Sequence, residues 1–130
     1  MTAGMKKDRA HFFKGFFNDF FGTGLISSAV SDEVEMDAWR QAMMAGLRPT
    51  LAAAKAFGTT DFRPDLASFT VPTLVIHGAG DAIVLFEGSG TRTHAAIRGS
   101  ELHVVAGAPH GVNVSHADEW NRVVLDFLAK

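Results

Sequence analysis

At 130 residues, 47% of them apolar, and with a formal charge of −2, the chain is sized for one domain with a core of its own. Its few basic residues, among them Lys6, Lys7 and Arg9, are interspersed with acids, which excludes an electrostatic footprint for nucleic acid. The absence of cysteine removes disulfides, zinc–thiolate sites and a thiol nucleophile, and fits a reducing cytoplasm. No apolar run approaches the ~18 residues of a membrane span, and no apolar leader core follows "MTAGMKKDRAHF". A soluble, cytoplasmic protein with no membrane partner is expected.

The first half reads as helical. Phe12, Phe13, Phe16, Phe17, Phe20 and Phe21 recur at i, i+1, i+4 and i+5, which gives one helix an aromatic face, and Gly22 and Gly24 end the pattern. Ordinary core packing is the plain reading of that face. A second helix is expected from Ser31 as N-cap through Trp39, Met43 and Met44, with Asp32, Glu33 and Glu35 in the first turns, where acids suit the helix dipole. Pro49 starts or kinks a third, "PTLAAAKAFG", which Gly58 ends.

The second half changes character. "VPTLVIHG" and "ELHVVAG" are short apolar runs bounded by Pro72 and Gly78 and by Gly99 and Gly107, and both read as parallel strands buried on both faces. The stretch from Phe86 to Arg98 is long enough for a crossover helix, although Gly88 and Gly90 interrupt it, so the three form a βαβ unit. In "HADEWNRVVLDFLAK", Trp120, Val123, Val124, Phe127 and Leu128 fall at i, i+3, i+4, i+7 and i+8, behind Asp118 and Glu119: an amphipathic closing helix.

In open α/β sheets, reactive groups collect beyond the carboxyl ends of the strands. Asp81 lies three residues past Gly78 and His110 three past Gly107, so both project from the same sheet edge. A carboxylate on one imidazole nitrogen fixes the tautomer and steadies the imidazolium, which leaves the other nitrogen to act as a general base. Spacing alone leaves a second reading open, in which Asp81 caps a helix and His110 is a loop residue. The six histidines (11, 77, 94, 103, 110 and 116) match no metal-ligand spacing, and His77 reads as a core histidine of its strand.

"VPTLVIHGAGDAIV", followed by "GAPHG" and "HADEWNRVVLDFL", resembles the carboxyl half of the α/β-hydrolases, specifically the cofactor-free haloperoxidases, or perhydrolases, and related arylesterases. "DRAHFFKGFFNDFFG" and "AFGTTDFRPDL" resemble the same group's helical lid and the return from it to the sheet. The resemblance implies an α/β fold in which residues 1–66 form a helical lid segment. Residues 67–130 would then form the last βαβ unit and final helix of an incomplete sheet. It also implies His110 as the catalytic histidine, Asp81 as the triad acid, and Phe57 and Ile83 as lining of an acyl pocket. No cofactor is implied. The substrates would be a short acyl ester, or a carboxylic acid with peroxide. The chain departs from the usual pattern at Leu85, where relatives commonly have proline.

The third triad member would be a serine on a Gly-x-Ser-x-Gly elbow. Serines 27, 28, 31, 68, 89, 100 and 115 all lack that frame. By the resemblance the elbow belongs to a preceding half, which leaves the first strand with an unpaired apolar edge. The chain is therefore expected to want a partner, either a complementary amino-terminal half or a second copy of itself, and to be inactive alone. A non-catalytic interaction module, indifferent to Asp81 and His110, is the alternative.

Overall fold

The computed structural model describes residues 1–23 and 29–130. Gly24, the second glycine expected to end the aromatic helix, lies outside the described residues, as do Ser27 and Ser28.

Four helices come first: α1 (Thr2–Lys7), α2 (Arg9–Phe21), α3 (Asp32–Met44) and α4 (Leu47–Thr59). Asp8 caps α2 by accepting the His11 N–H at 3.0 Å, and Ser31 caps α3 by accepting from Val34 N–H. Gly22, at φ +65°, closes α2 in the left-handed conformation expected of a helix-terminal glycine. α1, which carries no repeat long enough to be read from sequence, packs against α2 and α4. α4 begins at Leu47, ahead of Pro49, because a proline in the first turn lacks only an N–H that would have no intrahelical acceptor. It runs through Gly58 to Thr59, so Gly58 does not end it. Glycine without a left-handed φ is merely a weak helix residue.

Beyond a 3-10 turn at Arg63–Ser68, strand β1 (Leu74–Gly78) pairs in parallel with β2 (Glu101–Val105), in register from Leu74 opposite Glu101 to Gly78 opposite Val105. The crossover is shorter than expected: a 3-10 turn at Phe86–Gly88, then α5 (Gly90–Ala96), interrupted at Ser89. A one-turn helix α6 (Val112–Ser115) and α7 (Ala117–Leu128) complete the chain. No described helix is long and apolar enough to cross a membrane.

The strands are not buried on both faces. Among the described residues β1 has β2 as its one neighbour, so most positions of the pair are half-buried and only Gly78 and Val105 are closed off. The core at this end consists of Val105, Ala108 and Val112, with Ile76 and Trp120 packed on it. Beside it an apolar groove of about 550 Å³ runs between β1 and α7, lined by Leu66, Phe69, Leu74, Trp120 and Phe127 among others.

Candidate active site at the strand ends

Two loops leave the carboxyl ends of β1 and β2 and press together. Ala79 N–H donates to the Val105 carbonyl and Gly80 N–H to the Ala108 carbonyl, each at 2.9 Å. A Cβ on Gly78 would fall 2.3 Å from the Ala108 oxygen, so only glycine permits this approach. The contact brings Asp81 and His110, 29 positions apart, together: His110 Nδ1 lies 2.6 Å from Asp81 Oδ2.

The Asp81 side chain is 3% exposed. Its Oδ1 accepts the N–H groups of Ile83 and Val84, both at 2.8 Å. Burial pushes its carboxyl up, but the Val84 N–H, the His110 ring and the Ile83 N–H outweigh that and hold it below the ordinary value. Asp81 is therefore an anion at neutral pH, and because a carboxylate only accepts, His110 donates through Nδ1–H. In the neutral ring Nε2 then carries the lone pair, and no described residue hydrogen-bonds it. The imidazole is about one-third exposed.

The aromatic helix reaches this site. The Phe20 ring stands edge-on to His110, with centroids 4.8 Å apart, and the Phe20 carbonyl accepts the Gly111 N–H at 2.8 Å. Phe12 through Phe21 form a continuous ladder of ring contacts leading to that point, and Phe21 is buried. The aromatic periodicity located the face but carried no signal that its last turn packs on the histidine.

Ile83 sits beside the acid, half-buried, with its N–H on the carboxylate. Phe57 is 73% exposed and lines a different cleft, with Asp61, Arg63, Ser89 and Arg92; neither Asp81 nor His110 takes part in it. Leu85 adopts φ −59°, a value proline would impose, so the turn keeps a proline-compatible backbone without proline.

An acid–imidazole pair at the carboxyl ends of parallel strands, on a βαβ unit faced by helices, fits the arrangement that the resemblance to the α/β-hydrolases implies. No family model matches the sequence. The chain is 38% identical over 122 residues to a putative non-heme chloroperoxidase of Synechocystis, covering 93% of this chain and 44% of that protein. It is 32% identical over 123 residues to the bifunctional esterase/perhydrolase DCH of Acinetobacter calcoaceticus, covering 94% of this chain and 45% of the relative. The crystal structure of a bromoperoxidase from Bacillus anthracis superposes with a TM-score of 0.94 at 42% identity, over 99% of this chain and 47% of that one. The chain has the fold of the carboxyl-terminal part of an α/β-hydrolase, and it matches the carboxyl-terminal half of non-heme haloperoxidases and esterase/perhydrolases. It spans somewhat under half the length of these relatives.

Proposed function

We propose that the chain supplies the acid and base of a Ser-His-Asp triad in an esterase or perhydrolase, and that the serine is contributed by a separate segment, outside residues 1–130. The observation that carries this is the 2.6 Å contact that occupies His110 Nδ1 and leaves Nε2 without a hydrogen-bond partner among the described residues. In the complete site, a serine hydroxyl attacks the carbonyl carbon of a short acyl ester while His110 Nε2 takes its proton, and Asp81 steadies the imidazolium. The imidazolium returns the proton to the departing alkoxide. Water, or hydrogen peroxide, then attacks the acyl-serine through the same base to give a carboxylic acid or a peracid.

In this reading residues 1–66 are a helical cap segment and residues 67–130 a core segment, in a cytoplasmic enzyme that the absence of cysteine suits. Ile83 lines the acyl pocket beside the acid, whereas that role for Phe57 is supported by resemblance alone. The partner is a complementary half bearing Gly-x-Ser-x-Gly. Without it the chain lacks both the nucleophile and the oxyanion donors, the groups on which most of the rate acceleration depends, and is inactive.

The test is hydrolysis of nitrophenyl acetate by the chain alone and mixed with the amino-terminal half of a relative. Activity confined to the mixture, and lost with His110→Ala, supports the reading. Activity of the chain alone that His110→Ala removes overturns the claim of an absent nucleophile. The open β1 edge also suits a second reading, an oligomerising module. A stable self-oligomer, inactive in both assays and indifferent to His110→Ala, would favour it.

A further inference from the structure

Asp81 Oδ2 faces a second imidazole. His77, on β1 and 11% exposed at its side chain, places Nε2 2.9 Å from the Val84 carbonyl oxygen and 3.3 Å from Asp81 Oδ2. A carbonyl oxygen can only accept, so Nε2 carries the hydrogen and donates it to Val84, and the same nitrogen lies at ion-pair distance from the carboxylate oxygen that His110 uses. The ring is wedged from behind. A Cβ on Gly90 would fall 2.7 Å from His77 Nδ1 and 3.0 Å from Cγ, and the Phe86 ring packs with its centroid 5.4 Å away.

We propose that His77 is a positioning residue, whose Nε2–H ties the acid-bearing loop back to the end of its own strand and fixes the rotamer of Asp81. Two backbone N–H groups hold Oδ1 and His110 Nδ1–H holds Oδ2, while His77 Nε2–H bonds the carbonyl of Val84, whose own N–H is one of the two on Oδ1. The loop that presents the carboxylate is thereby fixed at Val84, and a neutral imidazole there adds no charge beside the acid. A lysine or arginine in its place would neutralise the carboxylate and weaken its hold on the imidazolium. Leucine would leave the Val84 carbonyl without its side-chain partner and the carboxylate able to turn away from His110. This assignment deepens the reading of Asp81 and His110 as acid and base, and rests on it.

The test reads the imidazoles directly, by proton–nitrogen NMR on the chain as it exists. His77 is expected as the Nε2–H tautomer, and His110 with a far-downfield Nδ1–H from its short bond to Asp81. Among the described residues Asp81 is the ionisable side chain in contact with His110, and Phe20 covers another side of the ring, so a change in the His110 Nδ1–H signal reports on the carboxylate. His77→Leu is expected to abolish the downfield signal. His77→Gln, which keeps an N–H donor, is expected to restore it. Gly90→Ala, which displaces the ring without removing the donor, should weaken the signal. Unchanged His110 signals in the leucine variant, or in Gly90→Ala should the leucine variant not fold, would overturn the proposal, as would a His77 protonated on Nδ1 alone.

None of these readouts needs ester turnover, so an inactive mixture would remove the proposed function and leave the role of His77 to be decided by the spectra. In an active mixture, His77→Leu should lower kcat by about 10-fold to 100-fold with KM unchanged, the usual scale for a group that orients a functional one, and His77→Gln should recover it.

Discussion

Among the described residues two carboxylates are buried, and they have opposite fates. Glu35, on the helical side, accepts from Lys14 Nζ and Thr23 Oγ1, both at 2.7 Å, and so joins α3 to α2 and the turn after it. Asp81, at the strand ends, accepts from two backbone N–H groups and an imidazole. For both, burial pushes the pKa up; the Lys14 and Thr23 bonds at Glu35, and the Val84, His110 and Ile83 bonds at Asp81, bring it below the ordinary value. Burial and a lowered pKa therefore do not mark the functional one. What separates them is the partner: the bond to Lys14 ends the chain of interactions, whereas the imidazole has a second nitrogen to which no described residue hydrogen-bonds.

The strongest way to break the comparison is to neutralise each acid in turn. Asp81→Asn should lower kcat of the complemented enzyme by about 10⁴-fold, because the amide invites the wrong imidazole tautomer, and should lower the melting temperature as well, because the bonds to the buried carboxylate lose their charge. Glu35→Gln should cost stability alone, about 1–3 kcal/mol in denaturant unfolding, with activity per folded molecule unchanged. Comparable activity losses in the two variants would sink the distinction.

Gly111→Ala couples the two sides. The added Cβ would fall 2.7 Å from Phe21 Cδ1, so α2 has to move off the histidine loop. We expect about 1–3 kcal/mol of destabilisation together with reduced activity. Full activity would mean that the Phe20 contact is incidental to His110.

Acid sharpens the comparison further. Each carboxylate has a folded-state pKa below its ordinary value, 4.5 for Glu35 and 3.8 for Asp81. Their stabilisation is thus fully present above those values and is lost as the pH falls through the lowered ones. Melting temperature followed from pH 6 downward should drop in that window in the parent, and less steeply in Glu35→Gln. The smallest expected effect is at Leu85. Its φ of −59° suits proline, and its N–H has no acceptor among the described residues. Leu85→Pro should therefore be neutral or add about 0.4–1 kcal/mol.

The parts legible in sequence were those set by strand ends. Asp81 and His110 fall the same three residues beyond glycines that close two apolar runs, and parallel pairing places such positions side by side. The Ser31 cap and the amphipathic α7 were legible for local reasons. Glu35 was not: at helix position four it suits the dipole equally well in water, and only Lys14, 21 positions away, reveals its burial. Phe20 and His77 escaped likewise, because periodicity tells which face of an element is apolar but not which loop comes to lie on it. The strands read as fully buried because their composition matches a sheet with neighbours on both sides, and the described residues supply only one.

The most direct measurement of the central claim watches the nucleophile itself. An amino-terminal half bearing the serine elbow is treated with a fluorophosphonate probe in the absence and presence of this chain, and serine labelling is followed over time. Labelling should accelerate when the chain is added and fall back with His110→Ala or Asp81→Asn, as the base and its orienting acid are removed. A labelling rate that rises equally with both variants would contradict the triad assignment, and would reduce the chain to a structural partner.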